Sequence, residues 1–477
     1  MIALLAWLPT WWLPASADES GFLMVASQWH EGTSLYGDYW VDRPPLLIIL
    51  YATADAAGGL GALRVLGCLA VFVSVILAGL IGRLASPAPG APLAAAATAT
   101  VFMGSPLFGR GVVNGEVLAL PFVLAGVAAL LAARGEARAG RSAVLWAAAG
   151  AAAASAALIK QNFLDVFFVA AVMLALPVVG VLRARVGAAF VLGAGLVLAL
   201  VLLVASSRGT TPAELWVAVV TFRIDANQMI GSSASSATPL RAARLGLVLV
   251  LSGAVPLLVL AARRLVRSAA TDGLDIRIAA AILVAWEVLS VALGGSYWLH
   301  YLMGLVPGLV LVAALVTVSS PIGSAVWQRT STRLLTYSAV VSLGSLFWVA
   351  IFPAPTHEDV SAYLTAHGRT GDTAVVAFGK PDILYGAGMS SPYPMLWSLP
   401  VRVLDPQLHQ LARLLGSHAR PTWLITSRLG LAGWGLDPSG SALTEFADNY
   451  QRVAEFEGLV VYRTRVRQSD SVPESPA

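Results

Sequence analysis

The chain has 477 residues, 57% of them hydrophobic and only 12% charged, with a mean hydropathy of +0.77. A soluble globular domain carries about 25% charged residues, so the composition excludes a single water-soluble globule and implies a helical polytopic membrane protein. The net charge of +4 comes mostly from arginines in short loops between apolar runs, where the positive-inside rule accounts for them without nucleic acid as a partner. The single cysteine, Cys68, leaves no internal disulfide and no cysteine-based metal site. Among thirty Lys and Arg, only Lys160 and Lys380 are lysines, so a lysine in an apolar run is informative.

In chain order, residues 2–15 read as a first span, short against the about 20 residues that a crossing needs. Ala15 and Ala17 have the spacing of a signal-peptidase site, but no Lys or Arg precedes the apolar run. A first span shortened by a mis-assigned start is the reading adopted. A polar segment, 16–44, follows and carries Asp18, Glu19, Glu31, Asp38, Asp42 and Arg43. Residues 46–60 are apolar directly after Pro44-Pro45 and fit an interfacial helix or a re-entrant piece. Further spans are expected at 63–82, 91–108, 117–133, 143–159, 163–182, 187–205, 243–262, 277–293, 301–319 and 335–352, about eleven in all. A polar loop, 206–240, and a tight loop, 294–300, interrupt them.

With a cytoplasmic N-terminus, Arg83, Arg134, Arg138, Arg141, Arg183, Arg185, Arg263, Arg264, Arg267, Arg329 and Arg333 all fall in inside loops. The segments 16–44, 109–116, 206–240 and 294–300 and the C-terminal region then face outward, so the unusual polar residues share one side. Residues 1–353 form the expected membrane domain and 354–467 a small α/β domain. In that domain the strands are expected near 373–379, 421–426 and 456–463, and the helices at 358–367 and 405–417. Residues 468–477 read as a disordered tail.

Several outward-facing groups could carry chemistry. Asp18-Glu19 could supply the base that a hydroxyl acceptor needs when it attacks an anomeric carbon, or could solvate the end of the first span. Asp42-Arg43-Pro44-Pro45 fixes an abrupt entry into the next apolar segment. There Arg43 could clamp a lipid phosphate bidentately or simply snorkel. Glu116, after Asn114-Gly115, is a second acid of a site that positions acceptor or donor, a divalent-ion ligand, or a complement to a helix dipole. Lys160-Gln161 ends the fifth span; an ionisable residue there is functional by default, or Lys160 pairs structurally with Asp165. Tyr297, His300 and Tyr301 fit a binding site or an aromatic belt. Arg223 and Asp225 read as solvent-loop residues.

Taken together, these motifs resemble the GT-C superfamily of integral-membrane glycosyltransferases, in particular the bacterial branch of protein O-mannosyltransferases and aminoarabinose transferases. The matching features are Asp18-Glu19 after span 1, Asp42-Arg43-Pro44-Pro45, Glu116 opening span 4, Lys160-Gln161 after span 5, and His300-Tyr301 with Pro307 in span 10. They cover about residues 16–320. Two departures are the short first span and Ser20 where many relatives have glycine. The resemblance implies an all-α polytopic membrane bundle with a small C-terminal extracytoplasmic α/β domain, in the bacterial plasma membrane. It implies sugar transfer, with inversion, from a polyprenyl-phosphate donor to an envelope acceptor. Asp18 becomes the base and Glu19 its support. Asp42, Arg43, Glu116, Lys160, Gln161, His300 and Tyr301 become donor- or acceptor-binding. Members of the superfamily differ in using a divalent metal, and the sequence leaves that open. The rival reading is a transporter or flippase of lipid-linked saccharides. It fits less well, because the polar residues gather on one face and no internal repeat is visible.

Overall fold

The computed structural model describes residues 2–30, 32–175, 183–232, 237–267, 274–317 and 324–465. Glu31, the tail 468–477 and the far ends of the expected spans 163–182 and 301–319 lie outside the described residues. Seven described helices are long and apolar enough to cross a membrane: Leu60–Ala85, Gly115–Arg134, Ala139–Ile159, Arg183–Ser207, Asp275–Leu293, Leu299–Val316 and Arg329–Ile351. An eighth results if Ala237–Leu251 and Ala254–Arg264, which meet at a 61° bend, count as one broken span. Pro45–Ala56, Ala91–Met103 and Asp165–Ala175 are apolar but shorter.

Three segments differ from expectation. The N-terminal run forms a short helix, Ile2–Trp7, and then a 3-10 turn, Leu8–Trp12, rather than a span. Pro9 removes a backbone donor there. The polar segment 16–44 is not all loop, because Ala17–Gln28 is a helix. Its start is a capping box: Glu19 N–H donates to Ser16 Oγ at 3.2 Å, and Ser16 N–H donates to Glu19 Oε2 at 2.9 Å. The polar stretch 206–240 is largely helical as well. Thr211 and Glu214 form a second capping box, with Pro212 at the first helical position. Pro212–Trp216 runs through a π-helical turn, Val217–Thr221, into Phe222–Ser232. In both cases polarity concealed helix-start chemistry.

The chain divides into two compact units. The first comprises Met1–Leu13, Arg43–Ser207 and Ile230–Ala354, and so holds the spanning helices. The second comprises Pro14–Asp42, Arg208–Met229 and Pro355–Ala477. Its core is a four-stranded sheet of β1 (Ala374–Ala377), β2 (Trp423–Ser427), β3 (Tyr450–Phe456) and β4 (Leu459–Thr464), in the order β1-β2-β4-β3. The β1–β2 pair is parallel, which requires a crossover, and the helices Pro381–Ala387, Ser398–Leu404 and His409–Gly416 supply it. β3 and β4 form an antiparallel hairpin across Glu457-Gly458, where Gly458 takes φ +77°. The residues 456–463 expected as one strand therefore straddle that turn. β3 escaped notice because it is an edge strand with charged residues, Arg452 and Glu455, which guard an edge against mispairing.

In the spanning unit, Ala139–Ile159 and Arg183–Ser207 pack through small residues. A Cβ on Gly193 would sit 1.9 Å from the Ala147 carbonyl oxygen, and one on Gly150 equally close to that of Phe190. Within a bilayer such close backbone approach replaces hydrophobic drive as the source of helix association. Gly195, two residues on, has open space around it. Gly193→Val is therefore expected to destabilise the protein by about 1–3 kcal/mol through overpacking, lowering its melting temperature in detergent, while Gly195→Val leaves the melt unchanged.

Candidate active site

In the spanning unit, five of the residues singled out from sequence come together from four separate segments. The Gly115–Arg134 helix begins at Asn114, whose Oδ1 accepts the Val117 N–H at 3.1 Å. That cap places Glu116 in the first turn, 3% exposed. Ala139–Ile159 ends at Lys160, which leaves the helix in an extended conformation and is 9% exposed. Lys160 Nζ donates directly to Glu116 Oε1. Gly115 permits this approach, since a Cβ there would already lie 3.4 Å from Lys160 Cδ.

The 3-10 segment Leu299–Leu305 brings two more groups. His300 Nε2 lies 3.6 Å from Glu116 Oε1. That is too long for a hydrogen bond, but close enough for an ion pair when the ring is protonated. The ring of Tyr301 sits beneath Lys160 Nζ, 4.7 Å from its centroid, a cation–π arrangement. The His300 and Tyr301 rings meet edge to face at 5.0 Å. The 3-10 segment can come this close because Gly109 has φ +76° and no side chain; a Cβ there would fall 2.5 Å from His300 Cα. Arg43, just ahead of the Pro45–Ala56 helix, acts on Glu116 electrostatically. Gln161 follows Lys160 in the next turn, half-buried. The site thus gathers one carboxylate, two fixed cations and a histidine.

Asp165 was weighed as a partner for Lys160, but Lys160 is taken by Glu116. Asp165, 2% exposed, instead acts on Glu287, which is equally buried in the Leu274–Leu293 helix. Glu287 Oε1 accepts the Gly308 N–H at 2.7 Å, and so anchors the start of the Val306–Val316 helix that continues from His300 and Tyr301. Glu287 was missed from sequence, although an acid in the middle of an apolar run is itself a signal. Around it, Asn162 Nδ2 donates to Ser290 Oγ at 2.7 Å, and Trp286 Nε1 donates to the Asn162 carbonyl at 3.2 Å.

The second unit holds the remaining candidates. Asp18 is half-buried in the first turn of Ala17–Gln28, and Glu19, 1% exposed, spends one carboxylate oxygen on the capping box. Asp42 forms an ion pair with Arg223, so Arg223 is not a plain solvent-loop residue. Next to Arg223, Phe222 packs against Trp40 with ring centroids 4.3 Å apart and planes tilted by 56°. Among the described residues, no three His, Cys, Asp or Glu side chains are grouped so as to hold a metal ion.

The buried pair sets a clear expectation. Removing one partner strands the other charge, at a cost of about 3–5 kcal/mol. Lys160→Met should therefore unfold at markedly lower temperature than the parent. The double variant Lys160→Met with Glu116→Gln should recover a large part of the loss, as a double-mutant cycle on thermal unfolding would show.

No protein-family model matches the chain, and no curated protein matches it by sequence. Solved structures do match. ArnT from Cupriavidus metallidurans bound to undecaprenyl phosphate aligns with a TM-score of 0.65 at 14% identity, covering 98% of this chain and 97% of that one. The archaeal oligosaccharyltransferase AglB from Archaeoglobus fulgidus, in complex with an inhibitory peptide and a dolichol-phosphate, aligns at 0.54 and 10% identity, covering 97% and 74%. Both neighbours are GT-C membrane glycosyltransferases. At these identities the likeness is one of fold, and the chain shares the fold of these two structures.

Proposed function

We propose that the protein is a glycosyltransferase that moves a hexosyl or pentosyl group from a polyprenyl-phosphate donor to an acceptor in the bacterial cell envelope, at the outer face of the plasma membrane. The observation that carries this reading is the charge balance of the buried cluster. Lys160, Arg43 and His300 stand against the single carboxylate of Glu116. An excess of cationic groups in a low-dielectric setting favours a phosphate, and a guanidinium can hold one bidentately. The fold supports the same reading, because the structures it resembles were obtained with undecaprenyl phosphate and with dolichol-phosphate.

The roles follow from chemistry. Arg43 and Lys160 neutralise the phosphate, whose negative charge grows as the glycosidic C–O bond breaks. Glu116 holds Lys160 and His300 in place. Tyr301, with Gln161, lines the donor or acceptor. The base is assigned from the sequence motif alone: Asp18 would take the proton from the acceptor hydroxyl as its oxygen attacks the anomeric carbon, and Glu19 caps the helix turn that carries Asp18. Asp42, ion-paired with Arg223, keeps the donor- or acceptor-binding role that the sequence resemblance gives it. A single displacement of this kind inverts the anomeric centre.

The test is transfer from radiolabelled polyprenyl-phosphate sugars in membranes, at matched expression. Loss of a general base costs about 10²–10⁴-fold in rate, so Asp18→Asn should lower kcat by that order and leave the KM for donor nearly unchanged. Arg43→Gln should chiefly raise that KM. Full transfer by Asp18→Asn would remove the base assignment, and absence of transfer by the parent from every donor tried would count against the reading as a whole.

A further inference from the structure

The second unit contains a hydrogen-bonded chain of three titratable side chains at the carboxyl end of its parallel strand pair. β1 ends at Ala377, and Phe378-Gly379 leads to Lys380, which opens the Pro381–Ala387 helix. Gly379, at φ +97°, makes the turn that a side-chain-bearing residue would resist. Lys380 Nζ is in hydrogen-bonding contact with His357 Nε2. His357 Nδ1 bonds Asp382 Oδ2 at 2.6 Å. His357 and Asp382 keep 24% and 16% of their side-chain surface exposed, and Lys380 is half-buried, so the chain is sheltered but reachable. In open α/β sheets, ligands bind outside the carboxyl ends of parallel strands, which is where these residues stand.

The order of groups matters. Asp382 accepts the Nδ1 proton of His357 and thereby leaves Nε2 as the basic nitrogen, facing Lys380. Burial pushes the Lys380 ammonium below its ordinary pKa, against the opposing pull of the Asp382 charge. An amine, a base within hydrogen-bond reach and a carboxylate that orients the base make up the arrangement of an activated nucleophile.

We propose that Lys380 is a nucleophilic amine, with His357 as its base and Asp382 orienting the imidazole, and that this site takes a carbonyl-bearing ligand, such as an open-chain reducing sugar, as a reversible imine. The Nζ lone pair attacks the carbonyl carbon and a C–N bond forms, while the π pair moves to oxygen. The proton lost from Nζ passes through His357 Nε2 to that oxygen. The second Nζ proton passes by the same route to the carbinolamine hydroxyl, which leaves as water as the nitrogen lone pair closes the C=N bond. No oxidant or reductant is consumed. The site shares no residue with the cluster around Glu116.

The chain's two lysines make the test clean. The full-length protein in detergent is treated with glyceraldehyde and sodium cyanoborohydride, and the labelled peptides are quantified by mass spectrometry. Lys380 is expected to be labelled at least about a hundredfold faster at neutral pH than N-acetyl-lysine amide, the low end of what a positioned base contributes. Asp382→Asn should remove most of that advantage without lowering the melting temperature. Lys380→Arg should abolish the label. A wild-type rate at or below that of the model amine overturns the proposal without recourse to any variant. So does an undiminished rate in folded Asp382→Asn, which would leave the triad a structural tie.

Discussion

A lysine and a glutamate shut away from water must neutralise each other, and the Lys160–Glu116 pair is the constraint on which the first unit depends. Desolvating two charges costs several kcal/mol per ion, repaid only by close and well-oriented contact. The contact exists because one helix begins and another ends at the same place. Asn114 starts Gly115–Arg134, and the extended backbone at Lys160 stops Ala139–Ile159. His300 and Tyr301 close over the pair on a 3-10 turn that rests against Gly109. Glu287 holds the far end of that turn through the Gly308 amide.

The second unit works by a different logic. Its helix Ala17–Gln28 carries almost no amphipathic pattern and is held by close packing instead. A Cβ on Gly21 would lie 2.2 Å from the Trp397 ring, and Phe22 lies 5.2 Å from it between centroids. Tyr39 accepts the Ser391 N–H, and Trp40 donates its own N–H to the Pro394 carbonyl. Thr210 accepts the Leu35 N–H at 2.8 Å. Three stretches far apart in sequence are thus tied by backbone hydrogen bonds that no hydrophobic period announces.

How much could be read in advance follows the physics of each signal. Long apolar helices such as Leu60–Ala85 and Gly115–Arg134 are written in composition and were visible. Bent or shortened ones were not, because a window of hydropathy does not register the break at Ser252-Gly253 or the early stop at Met103. The candidate charged or titratable residues at 43, 116, 160 and 300 stood out because such groups are scarce in an apolar chain. Their partners did not: Asp165, five residues on, was one reading of the partner of Lys160, when Glu116 lay across the helix interface. Glu287 was overlooked inside its span, and the His357–Lys380–Asp382 chain arises only when strand β1 turns back toward the start of the Glu358–His367 helix.

The account rests on the cationic excess around Glu116 serving a lipid phosphate. The most direct measurement is equilibrium binding of undecaprenyl phosphate to the purified protein in detergent, for the parent, Arg43→Gln and Asp18→Asn. Removing a charge-assisted hydrogen bond to phosphate costs about 1.5–3 kcal/mol, so Arg43→Gln should bind about tenfold or more weakly, with Asp18→Asn unchanged. Equal affinity for the parent and Arg43→Gln would contradict the account.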